Sequence, residues 1–118
     1  SEGFGLSPAE AMFLGKPVIA TNWSGNTDFM RQDNSLPVDF RLVKIERGVG
    51  VYRAGQMWAD PDVDHAASLM RRVVDDGALR ERISRAAMRT MREEFSPEIA
   101  GRRVRARLEY IQDALNGR

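Results

Sequence analysis

An α/β fold is what this sequence predicts, and three features carry the expectation. A capped helix near the start stops at a glycine, a β-branched run follows directly, and the chain from Asp60 to its end keeps the apolar spacing of amphipathic helices. At 118 residues there is room for one small domain around one hydrophobic core and not for two.

The first helix is announced by Ser7-Pro8-Ala9-Glu10. Ser7 suits the N-cap, Pro8 the first helical position and Glu10 the third, the pattern of a capping box. Gly15 with Pro17 behind it is the expected stop after about two turns. Val18-Ile19-Ala20-Thr21 then reads as a short strand buried on both faces of a parallel sheet. Ser24-Gly25-Asn26 is a turn signal, with a single helical turn expected over Thr27 to Met30. Val38, Phe40 and Leu42 alternate with Asp39 and Arg41, which predicts a half-buried strand over 38–44. Gly48, Gly50 and Gly55 mark the stretch from Arg47 to Gly55 as an excursion or hairpin.

Three helices complete the chain. Asp60-Pro61 reads as a cap and first helical residue, Val63, Ala66, Ala67, Met70, Val73 and Val74 as the apolar positions, and Gly77 as the end. A second helix over about Ala78 to Glu94 gathers Leu79, Ile83, Ala86, Ala87, Thr90 and Met91 on one face. Ser96-Pro97 restarts the chain into a last helix, whose stripe is Val104, Leu108, Ile111 and Leu115.

Charge narrows the function classes. Lys and Arg number 18 against 17 for Asp and Glu, a formal net charge of +1, so the whole surface gives no reason to expect nucleic acid. Eleven arginines lie between Arg71 and Arg107, but acids such as Asp75, Asp76, Glu81, Glu93 and Glu94 alternate with them, which predicts a solvated face laced with ion pairs. The chain has no cysteine, and His65 is its one histidine, so neither a disulfide framework nor a tetrahedral zinc site is expected. Its apolar runs fall far short of the roughly 20 residues that span a bilayer. Ser1-Glu2-Gly3-Phe4-Gly5 lacks the basic and apolar regions of a secretory signal, so the expected setting is soluble and cytoplasmic. A glycine-rich loop normally joins a strand to a helix inside a domain, so these residues are expected to be part of a longer polypeptide.

The chemistry sits in Glu2-Gly3-Phe4-Gly5-Leu6-Ser7-Pro8-Ala9-Glu10. Gly3 and Gly5 let the backbone turn tightly and approach a ligand. A helix starting at Pro8 offers unpaired N–H groups and the positive end of its dipole to a phosphate or diphosphate. A carboxylate has only acceptor atoms, so Glu2 and Glu10 would repel phosphate but accept two hydrogen bonds from a vicinal diol. A ligand with sugar hydroxyls on both sides of a diphosphate satisfies all of these groups.

Glu2 and Glu10, seven residues apart, resemble the E-x7-E motif of family 4 and related retaining glycosyltransferases, in the form E-G-F-G-L-x-x-x-E-A-M. The resemblance continues through Gly15-Lys16-Pro17-Val18-Ile19-Ala20-Thr21, Gly25-Asn26 and the helical tail, and is weakest from Arg31 to Ala59. It implies a partial Rossmann-like C-terminal domain of a GT-B glycosyltransferase over residues 1–118, incomplete on its N-terminal side, with a helical C-terminal tail. The implied activity moves a sugar from a nucleoside diphosphate sugar donor to an acceptor hydroxyl, on one face of the sugar, with the leaving diphosphate assisting. The resemblance further implies that Glu10 binds the donor ribose and that Glu2 contacts the transferred sugar as the catalytic-site carboxylate. The backbone of Gly3, Phe4, Gly5 and Leu6 then lies along the sugar and β-phosphate. The family's phosphate-binding Arg and Lys are expected upstream of Ser1, so these residues alone are expected to be inactive. No cofactor is implied. The expected partners are the donor, an acceptor whose identity the sequence does not give, and the remainder of the same polypeptide, with peripheral membrane contact open to the intact enzyme.

Plainer readings stand beside these. Glu10 also serves as the third member of a capping box, and Glu2 as a solvated loop acid. Asp60-Pro61-Asp62-Val63-Asp64 contains D-x-D, but a helix N-terminus favours acids anyway, so no metal is expected. His65, Trp23 and Trp58 read as packing or exposed residues, with Trp23 in a loop able to approach the nucleotide. Rival functions are a sugar phosphorylase or nucleotide-sugar epimerase, or a non-catalytic nucleotide-sugar-binding or interaction module.

Overall fold

A computed structural model describes residues 3–117, and its first helix, α1 (Leu6–Phe13), starts before the predicted cap. Gly5 takes the N-cap position at φ 88°, a left-handed conformation that glycine adopts without a Cβ penalty. Ser7 therefore lies inside the helix, and no side chain hydrogen-bonds at the cap. Glu10 falls in the second turn, so the capping box does not form. The predicted stop does: the Gly15 N–H donates to Met12 O at 3.0 Å and the Lys16 N–H to Ala11 O at 2.8 Å, the paired bonds of a Schellman motif with Gly15 at φ 70°.

Strand β1 (Ile19–Thr21) pairs in parallel with β2 (Leu36–Val38), with Ile19 opposite Leu36 and Thr21 opposite Val38. The single strand expected over 38–44 is broken at Asp39. The Asp39 N–H donates to His65 Nδ1 at 3.1 Å and its carbonyl accepts the Asp62 N–H at 2.8 Å, so its backbone serves the start of a helix and not a ladder. Strand β3 (Phe40–Lys44) then pairs antiparallel with β4 (Met57–Pro61), and the glycine-rich stretch is the far end of this hairpin. Asp60 and Pro61 are thus strand residues. Proline is tolerated at the end of an edge strand, and Asp62 caps the helix, accepting the His65 N–H at 2.9 Å.

Helix α2 (Val63–Asp75) buries Leu69, flanked by half-buried Ala66 and Val73, and leaves Val63, Met70 and Val74 exposed. Its inward face is therefore rotated from the predicted stripe, because the helix packs on β1 and β2 through the Ala66, Leu69, Val73 row. Asp76 ends α2 and caps α3 (Gly77–Glu94), accepting the Leu79 N–H at 2.8 Å, so Gly77 opens a helix instead of closing one. The predicted face of α3 is the buried one: Leu79, Ile83, Ala86, Ala87, Thr90 and Met91. Helix α4 (Pro97–Asn116) starts at Ser96, whose hydroxyl accepts the Ile99 N–H at 3.3 Å. None of its described residues is buried, and its apolar stripe faces solvent. Among the described residues no helix is long and apolar enough to cross a membrane.

The expected lacing of the arginine helices is sparse. Among the described residues Arg85 pairs with Glu81, while Arg80 donates to the Val73 and Val74 carbonyls at the end of α2 and Arg107 lies 5.2 Å over the Tyr110 ring. Glu94 reaches instead to Arg31, in a two-pronged pair at 2.6 and 2.7 Å. The hydrogen-bonded guanidinium of Arg31 holds the Glu94 carboxyl below the usual carboxylate range.

Two apolar clusters form the core, and α3 contributes to both. Ala9, Met12, Val18, Phe29, Met30, Ala87 and Met91 make one, with Phe4 and Phe95 against it. Leu36, Val38, Leu69, Leu79 and Ile83 make the other. Leu6, Phe13 and Leu14 of the first helix and its end remain exposed, so α1 is covered on one side.

Between β1 and β2 the chain is held by a buried amide. Asn34, with no exposed surface, donates to Phe29 O and Thr90 Oγ1, each at 3.0 Å, and accepts the Arg31 N–H at 2.7 Å. Asn34→Ala strands these partners in the interior and is expected to lower stability by about 1 to 3 kcal/mol, measured by denaturant unfolding of the intact protein.

Candidate functional site

The loop ahead of α1 is anchored by one side chain and free on its other face. Phe4 turns inward, its ring 4.9 Å from Phe29 and 5.9 Å from Phe95, with Phe29 and Phe95 themselves 6.0 Å apart. This packing fixes the peptide on either side of it. Gly3, Phe4, Gly5, Leu6 and Ser7 line an open hollow of about 300 Å³ at the start of the helix. The Ala9 N–H is bonded to Gly5 O at 3.1 Å, and the N–H groups before it receive no side-chain cap. A glycine-capped helix start facing a hollow is an arrangement that accepts an anion through backbone N–H groups and the helix dipole.

A second loop closes against the first. The turn from Trp23 into the 3-10 turn Gly25–Asp28 brings Gly25 onto Gly3 and Phe4 so tightly that a Cβ on Gly25 would lie 2.8 Å from Phe4 Cα and closer still to the Gly3 carbonyl oxygen. The turn is tied to β1 by Asn26, whose Nδ2 donates to Thr21 O at 2.9 Å. Ser24 sits at φ 75° and ψ −155°, a strained backbone for a residue with a side chain. Trp23 meets Phe40 at 5.2 Å edge to face and stays exposed.

The sequence-predicted residues fall into place unevenly. Gly3, Phe4, Gly5 and Leu6 share the hollow, whereas Glu2 lies outside the described residues. Glu10 is exposed on α1, and among the described residues its side chain has no hydrogen-bond or ion-pair partner. The three acids of the D-x-D stretch are separately engaged or placed: Asp60 pairs with Arg41 at 2.9 Å, Asp62 caps α2, and Asp64 lies in its first turn. Phe29, Phe95 and Asn34 position the loops but carry no motif. Their only signal in sequence is that they are apolar or amide residues beside turn signals.

A family model described as "Glycosyl transferases group 1" matches residues 1–90, which takes in both loops and every element up to the last turn of α3. The chain belongs to the group 1 glycosyl transferases. A search of curated proteins returns no match. Membership assigns the chain to transferases that move glycosyl groups, and α4 lies beyond the matched span. Within the matched region Gly3, Phe4, Gly5, Leu6 and Ser7 line the hollow at the start of α1, and Gly25 of the second loop packs against the first.

The closeness of the loops generates a contrast. Gly25→Ala drives a methyl into backbone atoms that cannot rotate away, and is expected to cost the intact transferase about 1 to 3 kcal/mol. Gly3→Ala, where a Cβ meets nothing within 4 Å, is expected to stay within about 0.5 kcal/mol of wild type in the same unfolding measurement.

Proposed function

We propose that Glu2 to Glu10 is the donor half-site of a retaining transferase that takes its sugar from a nucleoside diphosphate sugar. The observation that carries the proposal is the start of α1. Gly5 caps it without a side chain, Glu10 is released from any capping role, and Gly3 to Ser7 line a hollow beside the cap. The diphosphate lies against the N–H groups of the helix start, along the backbone of Gly3 to Leu6. Glu10 accepts the ribose hydroxyls, two acceptor oxygens meeting a vicinal diol. Glu2 does the same for hydroxyls of the transferred sugar. In the reaction the bond from the anomeric carbon to the β-phosphate oxygen breaks and one to the acceptor oxygen forms on the same face. The acceptor's proton passes to the departing phosphate oxygen. The remainder of the polypeptide supplies further cationic phosphate contacts, and the acceptor binds over the exposed side of the sugar.

Two substitutions in the intact transferase test this division of labour. Glu10→Gln is expected to weaken donor binding by about 1.5 to 3 kcal/mol, ten- to a hundredfold, by calorimetry. Its unfolding free energy is expected to stay within about 0.5 kcal/mol of wild type, since no cap is lost. Unchanged donor affinity would remove the ribose role. Glu2→Ala is expected to slow turnover while the free nucleoside diphosphate still binds as in wild type. Equal loss of nucleoside diphosphate and nucleotide sugar would show that the two carboxylates do not divide the ligand as proposed.

A further inference from the structure

We infer that Trp23 is the apolar face against which the transferred sugar ring of the donor rests. The inference builds on the donor half-site proposed above and adds a residue that lies outside the E-x7-E loop.

Trp23 follows the carboxyl end of β1, the side of an open parallel sheet where ligands bind. An open hollow of about 330 Å³ runs from Pro8, in the first turn of α1, past Thr21 to Trp23, Ser24 and Asn26. That is within the lower range of volumes that hold small ligands. The hollow thus joins Pro8, one residue beyond those that line the proposed diphosphate hollow, to the indole. A sugar bonded to the β-phosphate must sit about one ring's width from that anchor.

The indole is held for such a role. Phe40 braces it edge to face at 5.2 Å, yet Trp23 keeps 40% of its surface exposed. The following residue, Ser24, carries the only positive φ among the described non-glycine residues, and its carbonyl is clamped by the Thr27 N–H at 3.1 Å and the Thr27 hydroxyl at 2.7 Å. These bonds hold the backbone of the turn that follows Trp23. Close packing of Gly25 on Gly3 and Phe4 then sets the distance between the indole and the phosphate loop. A pyranose has an apolar C–H face and a rim of hydroxyls. The indole matches the face, and Thr21 and Asn26 are polar residues that line the same hollow. Trp58, the other tryptophan, lies on the hairpin against Tyr52 and not on this hollow.

The test uses the full-length transferase and three matched probes, UDP with UDP-glucose, GDP with GDP-mannose and ADP with ADP-glucose, titrated by calorimetry. For the pair that wild type binds, Trp23→Ala is expected to leave nucleoside diphosphate affinity within about twofold and to weaken the nucleotide sugar about tenfold. Trp23→Phe is expected to recover most of that loss and to melt like wild type, which separates ring stacking from a folding defect. Equal weakening of both ligands by Trp23→Ala, or no weakening of the sugar, overturns the inference. Glu10→Gln in the same titration distinguishes the two levels. If it weakens binding while Trp23→Ala does not, only the role of Trp23 falls. If wild type binds none of the three sugars, the donor half-site falls and the role of Trp23 with it.

Discussion

Burial of one face of α3 is the constraint on which the other elements depend. Ala87 and Met91 sit beneath Met12 and Phe29, while Leu79 and Ile83 sit beneath Leu36, Val38 and Leu69, so one helix closes both apolar clusters. The same helix receives the polar staples of the long connection between β1 and β2. Thr90 takes the buried Asn34 amide, and Glu94 takes Arg31. Even the end of α1 is fitted to it, since a Cβ on Gly15 would lie 2.9 Å from the sulfur of Met88. Removing apolar area from this face would loosen α1 and the β1–β2 connection together, at roughly 25 cal/mol per Å² exposed.

That shared footing is what brings two sequence-distant loops into register. One loop is anchored through Phe4, the other through Phe29, Asn26 and Asn34, and the two phenylalanines touch each other. With both bases fixed, the tips meet where Gly25 lies on Gly3 and Phe4, a contact with no room for a side chain. Of the hollows flanking this contact, one is lined by Gly3 to Ser7 and the other by residues that include Pro8, Thr21, Trp23, Ser24 and Asn26. On the proposed reading, this arrangement suits a ligand with a phosphate at one end and a compact polar ring at the other.

What the sequence made legible follows the range of the interactions involved. The face of α3 was readable because its period is set by the helix itself, and the Gly15 stop because a Schellman motif is completed within six residues of chain. The misses have non-local causes. Asp60-Pro61 has the composition of a helix start, but pairing of Arg41 and Phe40 with these residues draws them into a strand. Leu69 lay outside the predicted stripe because packing on β1 and β2, and not mean polarity, chose the face of α2. The strand through Asp39 was split by hydrogen bonds to residues more than twenty positions away. In α4 the apolar stripe is present as predicted, yet no described element covers it, so periodicity there reported a face without reporting its neighbour. For the proposed site, the glycines and carboxylates are visible in sequence as a motif, whereas the placement of Trp23, Ser24 and Gly25 beside it follows from the meeting of the two loops.

On the proposed reading, the displaced cap lets one short segment serve both folding and binding. A serine at the N-cap would place its hydroxyl on an N–H of the first turn, in competition with an incoming anion. Glycine in that position sacrifices only a few tenths of a kcal/mol of helix stability relative to serine, and it leaves those N–H groups to the ligand. At φ 88° a residue with a side chain is strained, so the uncapped helix start is maintained by backbone geometry and not merely by the absence of a hydroxyl. Ser7 and Glu10, displaced from the box their spacing suggests, then point their polar atoms outward on an exposed surface. Local preference yields here to a loop held by the aromatic cluster of Phe4, Phe29 and Phe95, and a divergence of this kind between local and global structure accords with the donor site proposed there.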